Sequence, residues 1–152
     1  MSRGRVAVVD DNHETLDLLR DILTDHGYEV EVAPAVDAGL HEIRDARPDI
    51  IIVDLLLSTD QRWLSGWDVV RLARSHAELH RLPIVVISAD PGRLNTHRGE
   101  AARLTNVRLL PKPFGVDEIV GVVTELLDAS AAANAARDGA SQSEGVSQPA
   151  TG

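Results

Sequence analysis

Short apolar runs alternate with amphipathic stretches along the chain from residue 5 to about residue 128. The short runs are rich in Val, Ile and Leu and predict five β-strands. The longer stretches between and after them repeat apolar residues every three or four positions, which predicts α-helices. The predicted strands are 6–9, 28–32, 50–53, 84–87 and 107–110.

Several residues between the predicted strands are typical of helix ends. Asn12 can cap the first helix, and Gly27 can end it. The second helix must end before Pro48, because the residue that precedes a proline disfavours helical backbone angles. The helix between the fourth and fifth strands is the weakest prediction, since it contains Pro91 and Gly99.

The order of these elements predicts the topology. Five strand–helix units in succession imply a parallel sheet with helices on both faces. The run 50–53 is the most apolar of the strands, so we expect it at the centre of the sheet, covered on both faces. A strand order of 2-1-3-4-5 is one of the two common doubly wound arrangements. We therefore predict an α/β fold with a doubly wound, five-stranded parallel sheet.

The chain of 152 residues is long enough for one domain with a hydrophobic core. We predict that this domain spans residues 1–128. Residues 129–152 are rich in Ala, Ser and Gly and hold almost no large apolar side chains. Such a composition cannot offset the entropy lost on ordering, so we expect a disordered tail with helical tendency only at 131–136.

Composition and charge exclude several classes of function. The net charge of −9 argues against a nucleic-acid surface, which needs clustered Lys and Arg. The absence of cysteine excludes disulfides and thiolate metal sites. The first residues lack the apolar core of a signal peptide, and no apolar run reaches the roughly 20 residues of a bilayer span. We therefore expect a cytoplasmic protein that binds neither nucleic acid nor membrane.

Polar residues follow four of the predicted strands at the point where each strand ends. In an open α/β sheet this carboxyl edge is where ligands bind. Carboxylates gathered at one edge repel each other unless a cation lies between them, and oxygen ligands favour Mg²⁺. A carboxylate, a metal, a hydroxyl and an ammonium are the groups that phosphoryl transfer to an aspartate requires. The residues at this edge are Asp10, Asp11, Asp54, Ser88 and Lys112.

Four short motifs at these strand ends resemble the response-regulator receiver family of two-component signalling, which has the flavodoxin-like, CheY-like fold. The resemblance extends over about residues 4–128, and the motifs are 8–11, 51–55, 87–89 and 112–114.

The resemblance implies a role for each residue at the edge. Asp54 would be the phosphoacceptor, and Mg²⁺ would be held by Asp10, Asp11, Asp54 and the backbone carbonyl of Leu56. Ser88 would follow the phosphoryl group, and Lys112 would contact a phosphoryl oxygen. Lys112 is the single lysine in a chain with fourteen arginines, as expected if this position requires a compact ammonium.

Three departures from the family pattern concern signal output. The loop 55–66 is about four residues longer than is usual for the family and lacks the usual proline. Leu109 stands where the family usually has an aromatic residue, and Pro111 where a small polar residue is more common. The resemblance and the need for a tight turn also predict a cis bond between Lys112 and Pro113.

The resemblance supports two hypotheses about function. In the first, the chain is a stand-alone receiver that takes a phosphoryl group from a histidine kinase or phosphotransfer protein and signals by protein–protein contact. It would catalyse its own phosphorylation and dephosphorylation without being an enzyme in the ordinary sense. In the alternative, it is a receiver-fold interaction module that works without phosphorylation. A nucleotide-binding or hydrolytic α/β enzyme is disfavoured, because the turn 10–13 lacks phosphate-binding glycines.

Two other features carry weaker predictions. His76 and His80 have the i, i+4 spacing of a metal-binding pair, but the chain offers no evident third ligand, so a solvated helix end is favoured. Trp63 in the long loop could anchor a partner or fold back onto its own loop.

Overall fold

Five β-strands form one parallel sheet in the computed structural model, which describes residues 3–33, 43–56, 65–104 and 106–146. The strands are β1 (Arg5–Val9), β2 (Glu29–Ala33), β3 (Ile50–Asp54), β4 (Ile84–Ser88) and β5 (Val107–Pro111). Their order in the sheet is β2-β1-β3-β4-β5, and every neighbouring pair is parallel. The predicted fold class, strand order and central position of β3 are therefore confirmed.

Helices lie between the strands and after the last one. They are α1 (His13–Asp25), α2 (described at residues 43–46), α3 (Gly66–Ser75), α4 (Pro91–Thr96), α5 (Arg98–Arg103) and α6 (Val116–Val146). As predicted, Asn12 caps α1: its side-chain oxygen accepts the backbone N–H groups of Glu14 and Thr15. Gly27 follows the end of α1 with a φ of 90°, a backbone conformation that a glycine adopts readily.

The core has two parts, one on each face of the sheet. Every residue of β3 and β4 is buried, because helices cover both faces of these central strands. Successive side chains of a strand point to opposite faces, so alternate residues belong to different clusters. Ile50 and Ile52 pack with residues of α1 and α6, whereas Ile51 and Val53 pack with residues of α3, α4 and α5.

The segment predicted as the weakest helix is divided in two. Pro91 does not interrupt it, because Pro91 lies in the first turn, directly after the N-cap Asp90, where no intrahelical N–H bond is required. The division falls at His97, which ends α4 and precedes α5.

The described part of the predicted tail is helical. Residues 129–146 continue α6, whereas the sequence predicts a disordered tail from residue 129 with helical tendency at 131–136. Alanine side chains are too small to bury much apolar surface in a core, but alanine is the strongest helix former. The alanines here extend a helix whose first turns are anchored by Ile119 and Val123. By length and composition the part Val116–Ala136 could cross a membrane. Its apolar first turns, however, belong to the core beside the sheet.

Candidate functional site

The structure brings four of the predicted site residues to one edge of the sheet. Asp10 directly follows β1, Asp54 and Ser88 are the last residues of β3 and β4, and Lys112 directly follows β5. The strands are in register at this edge, where Asp54 lies beside Ile87 and Ser88 beside Pro111. The site is therefore built from strand ends held by a continuous hydrogen-bonded sheet.

Lys112 joins the two buried carboxylates of this edge. Its Nζ donates to Asp54 Oδ2 at 2.6 Å and lies 3.5 Å from Asp10 Oδ2. Asp10 and Asp54 are both buried, whereas the Lys112 side chain is 20% exposed. Charged groups are tolerated in such a setting only when they are paired and hydrogen-bonded, and here one ammonium serves two carboxylates.

Backbone amides orient the same two carboxylates. Leu56 N donates to Asp54 Oδ1 at 2.8 Å, and Asn12 N donates to Asp10 Oδ1 at 2.9 Å. Each amide lies two residues after the aspartate that it contacts, so both turns are local consequences of an aspartate at a strand end. The carboxylate of Asp54 is thus held from both sides, by Leu56 and by Lys112.

Asp10 has a strongly perturbed pKa. Its pKa is raised from 3.8 to about 6, chiefly by burial; the nearby charge of Asp54 and a side-chain hydrogen bond with that residue act in the same direction, whereas Asn12 N and Lys112 oppose the increase. Two carboxylates that share one cation in a buried position cannot both be ionised without cost. The site therefore has a deficit of positive charge.

This perturbation predicts how stability depends on pH without metal. The pKa of Asp10 is higher in the folded state, so that state binds more protons than the unfolded state between about pH 4 and pH 6. The stabilisation that Asp10 contributes to the folded state is fully present below its pKa in the unfolded state. It is lost as the pH rises through its pKa in the folded state. Relative to Asp10→Asn, we expect wild type to lose roughly 2 kcal/mol of unfolding free energy over this window.

Urea unfolding of both proteins in a chelator-containing buffer, at about pH 4 and about pH 7, measures this difference. The asparagine can still accept the Asn12 N–H, which makes it a matched comparison. Parallel pH profiles for the two proteins would contradict the assignment.

Ser88 and Lys112 are tied to each other through the backbone. Lys112 N donates to Ser88 O at 2.8 Å, and Ser88 Oγ accepts the Asp90 N–H at 3.0 Å. The Ser88 hydroxyl can still donate its own proton, because it is accepting in that contact. The Lys112–Pro113 bond is cis, as predicted.

The predicted metal ligands are brought together only in part. Asp11 is partly exposed beside Asp10, and Leu56 directly follows the β3 end. No three His, Asp or Glu side chains are grouped closely enough to hold a metal in the described part of the chain, so Asp11 does not complete a three-carboxylate group with Asp10 and Asp54.

The weaker sequence predictions have different outcomes. His76 caps the end of α3, and its Nδ1 accepts the Glu78 N–H. His80 contacts the carbonyl of Ala77 through its own Nδ1. These local contacts agree with the solvated helix end. Trp63 lies outside the described residues, as do residues 57–64 of the long loop.

Gly66 is a site residue that sequence reasoning missed. Its N–H donates to Leu55 O at 2.9 Å, and a Cβ at this position would lie 2.7 Å from both the Asp54 carbonyl carbon and the Leu55 Cα. Real Cβ atoms do not approach backbone this closely, so only glycine fits here. The available signal was a glycine at the end of the long loop, but a glycine there is also typical of an ordinary turn.

Known proteins resemble this chain over most of its length. A family model described as the response regulator receiver domain matches residues 6–124. Response regulator MprA of Mycobacterium sp. (strain KMS) is 32% identical over 123 residues, which cover 81% of this chain and 50% of MprA. The chain thus spans about half the length of the curated relatives that it matches.

Solved structures resemble the fold in the same way. NtrX from Brucella abortus has a TM-score of 0.78 and 28% identity, covering 91% of this chain and 29% of NtrX. Chemotaxis protein CheY4 of Vibrio cholerae has a TM-score of 0.69 and 24% identity, covering 81% of this chain and 98% of CheY4. The second likeness concerns the fold alone.

Proposed function

Because this chain belongs to the response regulator receiver domain family of two-component signalling, we propose that it accepts a phosphoryl group on Asp54. The observation that carries the proposal is the contact of 2.6 Å between Lys112 Nζ and the buried carboxylate of Asp54. A cation thus lies beside an oriented carboxylate, and this arrangement supports a role for Asp54 as nucleophile. The donor would be a histidine kinase or a phosphotransfer protein, and the signal would leave by protein–protein contact.

The proposed chemistry uses each residue at the sheet edge. An oxygen of Asp54 attacks the phosphorus, an aspartyl O–P bond forms, and the P–N bond to the donor histidine breaks. Lys112 stabilises negative charge on the phosphoryl oxygens, and its partly exposed side chain can move with them from Asp54. The Ser88 hydroxyl donates a hydrogen bond to the bound phosphoryl group. Leu56 N keeps the reacting carboxylate oriented.

The donor set fits a magnesium ion. Asp10 and Asp54 are adjacent buried carboxylates, and the raised pKa of Asp10 indicates that the pair lacks positive charge. Asp11, which does not group with this pair in the structure and would have to turn towards it, and the carbonyl of Leu56 would complete the ligands, all of them oxygens. A bound Mg²⁺ would offset the charge that Asp54 and the incoming phosphoryl group bring together.

We predict that Mg²⁺ stabilises the protein and that the effect depends on Asp11. A ligand at ten to a hundred times its Kd stabilises the folded state by about 1.4 to 2.7 kcal/mol, which should raise Tm by roughly 3–8 °C. Thermal unfolding with and without millimolar Mg²⁺ measures the shift. Asp11→Ala should lose most of it, whereas Asp21→Ala, on the exposed face of α1, should keep it. An equal response in wild type and Asp11→Ala would show that the proposed metal site is wrong.

Intact mass spectrometry after incubation with acetyl phosphate and Mg²⁺ tests phosphoryl uptake directly. One added phosphoryl group is expected, and peptide mapping should place it on Asp54. A protein that stays unmodified under these conditions, and with a histidine kinase as donor, would contradict the proposal.

The alternative function is a receiver-fold interaction module that works without phosphorylation. The departures from the family pattern at Leu109 and in the loop 55–66 keep this alternative open, whereas the complete acidic set argues against it. A partner that binds Asp54→Asn and phosphorylated wild type equally well would support this alternative. In either case we propose a cytoplasmic protein that contacts other proteins and not nucleic acid, consistent with its net charge of −9.

A further inference from the structure

The first turn of α3 packs directly on the backbone of Asp54. The Gly66 N–H bonds to Leu55 O, and the space between Gly66 and the Asp54 carbonyl is too small for a side chain. Close-packed atoms transmit a displacement because they cannot be compressed. A shift of the backbone at Asp54 must therefore move the beginning of α3.

Trp67, the residue after Gly66, contacts the α4–α5 segment, which we define as residues 91–103. Trp67 is buried, and its Nε1 donates to Glu100 Oε2 in α5 at 2.8 Å. Its ring stacks on His97 at the junction of α4 and α5, with centroids 4.6 Å apart and planes inclined by 20°. One side chain of α3 therefore contacts both the junction and α5.

A second residue of α3 holds the same carboxylate. Arg71 donates from Nε to Glu100 Oε2 at 3.1 Å and from Nη2 to Glu100 Oε1 at 2.8 Å. Hydrogen bonds from Arg71 and Trp67 lower the pKa of Glu100 to about 2, so this carboxylate is ionised at neutral pH. We refer to Trp67, Arg71 and Glu100 as the Glu100 clamp.

The α4–α5 segment has few other anchors. Each of its helices has six residues, and α5 has no side-chain cap at its beginning. Leu94 in α4 and Ala101 in α5 are its buried residues. Elements with little buried apolar surface open and shift at low cost in free energy. The position of α5 therefore depends strongly on the Glu100 clamp.

The segment is also attached to the site at its other end. Asp90 donates its N–H to Ser88 Oγ, and the Asp90 side chain caps α4. A movement of Ser88 towards a phosphoryl group would pull on this end. The α4–α5 segment is thus connected to the site twice, through Ser88 at α4 and through the Glu100 clamp at α5.

Among the residues that the structure describes, the large aromatic ring of the core on this side of the sheet belongs to α3 and not to β5. Leu109 of β5 is partly buried against a core cluster whose aromatic member is Trp67. We infer that the Glu100 clamp transmits the phosphorylation state of Asp54 to the α4–α5 segment, through the contact of Gly66 with the Asp54 backbone. This inference rests on the proposed phosphorylation of Asp54.

Hydrogen exchange with and without beryllofluoride, a mimic of the phosphoryl group on aspartate, tests the clamp. We expect beryllofluoride to change exchange in residues 91–103 of wild type. In Trp67→Phe, which keeps a ring but lacks the N–H donor, and in Glu100→Gln, this change should be roughly 2- to 30-fold smaller, the range for residues that couple two sites. Both variants should still take up a phosphoryl group from acetyl phosphate.

Glu125→Gln is the matched control, because Glu125 pairs with Arg108 at 2.7 Å on the other face of the sheet. It should keep the full response in residues 91–103. An undiminished response in both clamp variants, or an equal loss in Glu125→Gln, would overturn the inference. Absence of phosphoryl uptake in wild type would instead overturn the proposed function, and the clamp's signalling role with it.

Discussion

Asp54→Asn is expected to take up no phosphoryl group from acetyl phosphate. An amide is a poor nucleophile and a poor ligand for a hard cation, so the substitution removes the acceptor and weakens the metal site. The fold should persist, because asparagine can still accept the Leu56 N–H and because Lys112 keeps Asp10 as a partner at 3.5 Å. Intact mass spectrometry measures uptake, and cooperative urea unfolding checks the fold.

Asp90→Asn is the control for this experiment. Asp90 lies at the neighbouring strand end and caps α4 with its side chain, a role that asparagine performs about as well. We expect near wild-type uptake in this variant. Stoichiometric labelling of Asp54→Asn at any other residue would show that Asp54 is not the acceptor.

Gly66→Ala is expected to destabilise the protein strongly, although alanine is the better helix former. A methyl group at residue 66 would lie 2.7 Å from the Leu55 Cα and from the Asp54 carbonyl carbon, and these backbone atoms belong to or directly follow the central strand β3. Overpacking in a well-packed region costs about 1–3 kcal/mol of unfolding free energy. We expect a value near the upper end of this range, because the neighbouring backbone atoms cannot rotate away as a side chain can. Phosphoryl uptake should also slow, because Asp54 must move.

Gly121→Ala, a second glycine substitution in the same chain, is expected to stabilise the protein. Gly121 is an exposed residue of α6 with no neighbouring atom within 4 Å of an added Cβ. Alanine there should stabilise by up to about 1 kcal/mol through helix propensity. Denaturant unfolding of both variants measures these changes in the free energy of unfolding. If Gly66→Ala were as stable as Gly121→Ala, the close approach of α3 to Asp54 would be wrong.

The sheet and the residues at its carboxyl edge could be predicted from the sequence because they follow from local patterns. Apolar runs such as 50–53 predict buried strands, and a parallel topology brings the carboxyl ends of all strands to one edge. Asp10, Asp54, Ser88 and Lys112 occupy strand ends, so their proximity follows once the strands are recognised. The assignment of a role to each required the resemblance to the receiver family as well.

The tertiary structure decided the features that depend on distances between segments far apart in the chain. Trp67 and Glu100 are separated by 33 positions, and no periodicity in the sequence indicates that they share a hydrogen bond. Gly66 has the same sequence signature as a turn glycine, yet the packing of α3 on β3 makes it irreplaceable by a larger residue. The raised pKa of Asp10 likewise comes from burial. Hydrophobic patterning determines which elements form, whereas close contacts and burial exist only after those elements have packed.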